Sequence, residues 1–191
     1  MKQAKVLTEA ELKKVIKVCS LTRHADRNRF IVYLSVLSGM RAIEIANLKV
    51  KNIVSPTNNI LDEIVLDKTQ TKGNKTQTVF VGKALKREIA RYLGKFPNLL
   101  KNKEGSLIRT QKGKTTSGTI QYIFKNIYEL ANIPNATSHS GRRSFITNLS
   151  EKGVSVRVIQ ELARHSSLQT TQRYIDVSVP KLKNAVDLLS A

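Results

Sequence analysis

Apolar residues recur at helical spacing along most of this chain, and one stretch breaks the period. Leu12, Val15, Ile16 and Cys19 form a stripe behind Thr8-Glu9-Ala10-Glu11. That tetrad reads as a capping box: a Thr side chain and a Glu three residues later satisfy each other's backbone N–H groups. A polar stretch, Thr22 to Arg29, leads into a second helix whose apolar positions include Phe30, Ile31, Leu34 and Leu37. Gly39 ends it, and a third helix with Ile43, Ile45 and Leu48 follows, so Arg41 sits at a helix-to-helix junction. The period changes across residues 60–82. There Ile64, Leu66, Val79, Phe80 and Val81 flank Lys72-Gly73-Asn74-Lys75, which predicts a β-hairpin with a basic tip.

Helical spacing returns with Leu85, Ile89, Tyr92 and Leu93, and again with Ile120, Ile123, Phe124, Ile127 and Leu130. A loop rich in Lys, Gly, Ser and Thr is expected between them, from Pro97 to Ser117. Ile133-Pro134 breaks the pattern. A helix is then expected from Ser140 to near Gly153, and another from its Ser155 cap to Ala163. A short helix should carry Tyr174, and Pro180 opens a last one with Leu182, Val186 and Leu189 inward. The expected class is mainly α with a small antiparallel β-sheet (α+β). No repeat or interior boundary divides residues 1–191, so one domain is expected.

Charge changes this picture more than composition does. Lys plus Arg number 33 against 14 Asp plus Glu, a formal net charge of +19. No block of like charge accounts for it, so a folded basic surface is expected, suited to a polyanion such as nucleic acid. A solubilising surface, or a ribosomal or nucleoid protein, would share that charge. The single cysteine, Cys19, excludes an intrachain disulfide and fits an apolar helix face. The longest apolar run, Phe30 to Leu37, is far short of a membrane span. Residues 1–5 lack a signal-type apolar run, and a cytoplasmic location is expected.

Familiar cofactor motifs do not assemble. Gly113-Lys114-Thr115 would need a Gly where Ile108 stands to make a phosphate-binding loop. His24, His139 and His165 form no ligand pair at helical spacing. The expected chemistry uses neither a nucleotide cofactor nor a metal.

Four local patterns carry candidate chemistry. Arg41 follows Gly39 at a junction, with Glu44 three residues on; alone it also fits a surface ion pair. Lys72 and Lys75 on the hairpin could reach a bound substrate, or simply be solvated. In Ser138-His139-Ser140-Gly141-Arg142-Arg143, His139 and Arg142 are three apart at a helix start, so a shared face is expected. Free N–H groups there favour an anion, and an arginine fork suits phosphate. Last, His165 precedes Tyr174 by nine residues across a Ser/Thr-rich turn; Tyr174 alone could be a half-buried aromatic.

In this order the patterns resemble the tyrosine recombinase (phage integrase) family. Its signature runs Gly-x-Arg-x-x-Glu, a hairpin Lys, His-x-x-Arg, Gly-His, and a Tyr nine residues later. Gly39, Arg41 and Glu44 match the first box, Lys72 the hairpin, His139 and Arg142 the third, and His165 and Tyr174 the last. The resemblance runs from about Leu7 to Tyr174 and is Xer-like, or like integron and transposon members, in Asn74-Lys75 and Ser166 to Tyr174. Arg143 stands where many members have a second His, and Arg164 replaces the usual Gly before His165, adding bulk and charge beside the site. The N-terminal core-binding domain of typical members is expected to be absent, and the size resembles the compact fimbrial-switch invertases.

The resemblance implies a catalytic domain whose Tyr174 attacks a DNA phosphodiester and forms a 3′-phosphotyrosyl ester. It implies that Arg41 and Arg142 stabilise the transition state and that Lys72 protonates the leaving 5′-oxygen. His139 would act as base toward Tyr174, His165 would donate to the phosphate, and Glu44 would orient Arg41. The implied partners are double-stranded DNA, three further copies in a tetramer, and accessory DNA-bending proteins. The tail, residues 178–191, would pack in cis or be exchanged between protomers through Leu182, Val186, Leu188 and Leu189. Two other outcomes share these residues: a DNA-binding regulator on the same fold, and topoisomerase IB-like DNA relaxation.

Overall fold

Thr8 caps helix α1 (Glu9–Ser20): its hydroxyl accepts from Glu11 N–H at 3.2 Å, and Glu11 Oε2 accepts from Thr8 N–H at 3.0 Å. The computed structural model describes residues 3–71, 75–110, 113, 115–175, 182–183 and 186–187. Val15 and Cys19 of α1 are fully buried, and burial pushes the Cys19 thiol pKa up to about 11.

Helix α2 (Ala25–Ser38) is the centre of the molecule, packed by α1, by α4 (Lys83–Lys95) and by α6 (Ser140–Glu151). Phe30, Ile31, Val32, Leu34 and Ser35 are all buried, so burial runs around the helix and not along one stripe. Of the polar stretch expected to precede this helix, Thr22 to His24 do so, and Ala25 to Arg29 already belong to its first turns. Arg29 there pairs with Glu88 at 2.7 Å, and Asp26 with Arg91 at 2.5 Å, which fixes α2 to α4 by charge as well as by packing.

Gly39 ends α2 in the left-handed region (φ 63°). A Cβ there would lie 2.6 Å from the Phe145 ring, so the position needs glycine for conformation and for space. The chain turns at once into α3 (Ala42–Ala46). Strands β1 (Glu63–Leu66) and β2 (Gln77–Phe80) then pair antiparallel, with Ile64 opposite Val79. Ile64, Leu66 and Val79 point inward, while Val65 and Phe80 are exposed. A 3₁₀ turn, Lys68–Gln70, lengthens the connection, and Thr71 donates to the Lys75 carbonyl at its base. Lys72 lies outside the described residues.

The segment read as a loop from Pro97 to Ser117 contributes to the core. Leu99, Leu107 and Ile108 are buried, and Leu107 N–H donates to the Leu48 carbonyl at 2.8 Å. Composition misled here because three apolar residues suffice to anchor an otherwise polar crossing. Helix α5 (Ser117–Leu130) buries Ile120, Ile123, Phe124 and Ile127 as its spacing predicts, but Leu130 is exposed.

Helix α7 (Val156–Ala163) builds a second small apolar cluster with α6, made of Ile146, Ile159 and Ala163, and the short α8 (Leu168–Gln172) follows. Tyr174 packs against that cluster. It lies just past α8, not within it, on a turn in which Tyr174 N–H donates to the Thr171 carbonyl. Leu182 and Val186, expected to face inward, are exposed; Leu188 and Leu189 lie outside the described residues. Among the described residues no helix is long and apolar enough to cross a membrane.

Candidate active site

The site is assembled from chain ends of helices, where backbone carbonyls are left without intrahelical partners. The end of α2 supplies the carbonyls of Ser38 and Gly39, and the end of α7 those of Leu162, Ala163 and Arg164. Arginines bridge the two ends. Arg142 donates through Nη1 to Gly39 O at 2.5 Å and through Nη2 to Ala163 O. Arg41 donates through Nη2 to Arg164 O at 3.3 Å. The two guanidinium groups therefore converge on neighbouring carbonyls.

Close packing of α6 on α2 places Arg142. A Cβ on Gly141 would come within 2.4 Å of Ser35 Oγ, so the next residue is brought directly against the end of α2. Arg142 is only 3 % exposed. Burial, followed by the Arg41 and Arg164 charges, presses its pKa down to about 9, which leaves it protonated at neutral pH. Each terminal nitrogen of a guanidinium carries two N–H groups, so donors remain after both carbonyls are served.

Glu44 is fully buried and is the only carboxylate in this cluster among the described residues. Its Oε1 meets Arg41 Nη1 at 2.7 Å; its Oε2 accepts from Arg41 N–H at 2.9 Å and from Arg164 Nη2 at 2.8 Å. Burial alone would raise its pKa, but Arg164 and Arg41 outweigh that and hold it below the ordinary value. Three guanidiniums against one carboxylate leave a surplus of positive charge, an environment that favours an anion.

His165 follows the left-handed end of α7. Its Nδ1 lies 2.9 Å from Thr171 Oγ1, and its ring stacks on Tyr174 with centroids 5.6 Å apart and planes 20° apart. The Arg143 guanidinium sits 5.7 Å from the centre of the same Tyr174 ring. Tyr174 also acts electrostatically on Arg142, which ties the phenol to the arginine cluster. Burial first, then Arg142, Arg41 and Arg164, push the His165 pKa down to about 4, so the ring is neutral at pH 7.

A cleft of about 860 Å³ lies beside this cluster, lined in part by Arg41, Arg164, His165, Lys75 and Glu161. The hairpin thus brings its second lysine to the cleft, while Lys72 falls outside the described residues. His139 caps the start of α6 and is exposed, whereas Arg142 on the same helix is buried, so the shared face expected from their spacing is not a shared environment. Arg41, Glu44, Arg142, His165 and Tyr174 are brought together, while His139 stands exposed at the start of α6. Sequence reasoning missed Thr171, although a hydroxyl residue six positions after a histidine, across a tight turn, was the available signal. It also took Arg164 only as bulk and charge added beside the site, without its pairing to Glu44.

The family model described as the phage integrase family matches residues 5–180. A tyrosine recombinase, XerA of Pyrococcus furiosus, is 35 % identical over 187 residues, covering 96 % of this chain and 61 % of that protein. The chain thus spans about three-fifths of the length of that curated relative. The crystal structure of XerA recombinase superposes on 100 % of this chain and 67 % of its own, at a TM-score of 0.75 and 22 % identity. XerH site-specific recombinase bound to difH substrate, in a pre-cleavage complex, superposes on 100 % of this chain and 56 % of its own, at 0.74 and 23 %. At such identities these two solved structures speak for the fold.

Proposed function

The chain belongs to the phage integrase family, and on that footing we propose that it is the catalytic part of a site-specific tyrosine recombinase that cuts and rejoins DNA. The observation that carries this reading is the convergence of Arg41 and Arg142 on adjacent carbonyls beside a stacked His165–Tyr174 pair.

In the proposed reaction the Tyr174 oxygen attacks the phosphorus and the bond to the 5′-oxygen breaks. A 3′-phosphotyrosyl ester and a free 5′-hydroxyl result, and a 5′-hydroxyl of another strand reverses the step. The ester conserves the energy of the broken bond, which removes any need for ATP. Arg41 and Arg142 offset the negative charge that grows on the non-bridging oxygens. Glu44 takes one N–H of Arg41 Nη1 and the Arg164 carbonyl one of Nη2, and the second N–H on each nitrogen is the donor assigned to phosphate. The neutral His165 can accept from Thr171 at Nδ1 and donate to the phosphate from Nε2. Lys72 is assigned the proton for the leaving oxygen and His139 the proton of Tyr174.

The proposed partner is double-stranded DNA, supported by the +19 charge. A tetramer on DNA belongs to the same reading, and the exposed Leu182 and Val186 support a tail that docks on a neighbouring copy. Accessory DNA-bending proteins and a cytoplasmic location complete it.

The test is incubation with nicked suicide duplexes taken from the flanking genome. A covalent protein–DNA adduct is expected with the native chain and none with Tyr174→Phe. An adduct that persists in Tyr174→Phe overturns the nucleophile.

A further inference from the structure

The residue before His165 has the left-handed backbone (φ 57°, ψ 46°) that glycine adopts freely, yet it is an arginine. A β-carbon in that conformation is strained, and such strain persists where surrounding contacts over-determine it. The contacts are present. The Arg164 side chain is 4 % exposed. Its Nη2 meets Glu44 Oε2 at 2.8 Å and Gly39 O at 3.3 Å; its Nη1 meets Leu162 O at 3.0 Å and Ser38 O at 3.4 Å. Its own carbonyl accepts from Arg41.

We propose that Arg164 is a positioning residue that locks Arg41 by sharing Glu44 with it and by joining the end of α7 to the α2–α3 junction. This rests on the recombinase reading for its consequence, though not for its geometry. Both terminal nitrogens of Arg164 are engaged by protein oxygens, its Nε is buried without a hydrogen-bond partner, and the side chain is 4 % exposed, so it acts through Arg41 and not on the substrate. Glu44 has two oxygens and three donors. With Arg164 in place, Oε2 is held toward α7, and Oε1 alone pairs with Arg41 Nη1, which fixes the angle at which the Arg41 fork meets the cleft. Without Arg164 the carboxylate is free to turn and take both edges of Arg41. The same cation also faces His165, together with Arg41 and Arg142, while Thr171 and Tyr174 are its other neighbours.

The experiment compares the native chain with Arg164→Gly, Arg164→Lys and Arg164→Met. Two quantities are read: adduct formation at saturating suicide DNA, and the His165 titration by NMR in the free protein. Arg164→Gly should fold, because glycine accepts this backbone without strain. Its adduct rate is expected to fall about tenfold or more while DNA affinity stays within about twofold, the pattern of a lost transition-state contact. Arg164→Lys keeps a cation on Glu44 and should recover part of the rate; Arg164→Met fills the volume without charge and should not. The His165 pKa should rise in the Met variant and stay low in the Lys variant, a difference of charge at similar volume that a purely packing role would not produce. A native adduct rate in Arg164→Gly overturns the proposal; if that variant does not fold, equal rates in the Lys and Met variants do so. If the native chain itself forms no adduct, the recombinase reading fails separately. The His165 titration then decides: a rise in the Met variant supports the coupling, and an unmoved titration overturns it.

Discussion

Arg41 and Arg142 donate to consecutive carbonyls, Arg41 to that of Arg164 and Arg142 to that of Ala163. Each arginine thereby reports on the other's position through one peptide unit at the end of α7. A shift of that helix end would displace both forks together, because the backbone carbonyls at the ends of α2 and α7 hold the side chains of Arg41 and Arg142. Charges fixed in advance this way stabilise a transition state without reorganising at the moment of reaction.

Glu44 is the counter-charge that makes the cluster tolerable. Glu44→Ala should destabilise the fold by about 3–5 kcal/mol, because it strands two guanidiniums that are largely out of water. Glu44→Gln, which keeps the shape, should cost less yet still slow adduct formation. The folded carboxyl has a pKa below its unfolded value. Its contribution is therefore present above the unfolded value and is lost as pH falls through the folded one. Urea unfolding from pH 7 to pH 3 should show a steeper acid loss in the native chain than in Glu44→Gln, and equal slopes would contradict the assignment.

Gly141 sets the distance between α6 and α2. Gly141→Ala places a methyl 2.4 Å from Ser35 Oγ, 2.9 Å from Ser35 Cβ and 3.1 Å from Val36 Cγ1. The helices must part, and overpacking of this kind costs about 1–3 kcal/mol. Arg142 would move away from the Gly39 carbonyl with its helix, so the loss of adduct should exceed what the stability change explains. Ser35→Gly in the same chain removes the two nearest obstructing atoms, leaving only Val36 Cγ1, and should restore much of the rate. No recovery in the double variant would argue against the packing account.

The helices were legible in the sequence because their stripes obey one period: Val15 and Cys19, Leu85 and Ile89, Ile120 and Phe124 are buried where spacing predicts. The hairpin was legible from the change of period, and Gly39 from its place after a stripe. What was not legible depends on contacts between distant segments. Nothing local marks Leu107 as core, since its partner is Leu48. Spacing puts His139 and Arg142 on one side of a helix, but only the approach of α2 decides that one is buried. Arg164 looked like a departure that crowds the site; its role requires knowing that Glu44 lies beside it. Pairing Arg41 with Glu44 was readable, because both sit at one helix start, three residues apart.

DNA binding should follow the basic surface. Phosphate contacts release counterions, and the logarithm of affinity falls with a slope near −0.9 per neutralised phosphate. For about six such contacts, affinity should drop roughly a thousandfold between about 50 and 200 mM salt. Charge reversal at Lys75, which borders the cleft, should flatten the slope by about one contact with little change in sequence preference. A mobility-shift titration reads both, and an affinity indifferent to salt would contradict a phosphate-led interface.

His165 gives the site a pH signature of its own. An unfolded histidine titrates near its ordinary value of 6.5, whereas in the folded chain burial and then Arg142, Arg41 and Arg164 push it to about 4. Between these values the unfolded chain binds the extra proton and the folded chain does not, so stability rises with pH across the window from about 4 to 6.5 and is flat, for this group, above it. Lowering the pH from 7.5 to 5 should therefore cost the native chain stability that His165→Gln retains. The bound duplex should act in the opposite direction: a phosphate anion beside the ring offsets the arginine charges and raises the pKa. NMR titration should find the His165 ring neutral at pH 6 in the free protein and at a higher pKa in the DNA complex of Tyr174→Phe. A ring already protonated at pH 6 without DNA would mean that the three arginines do not surround it as described.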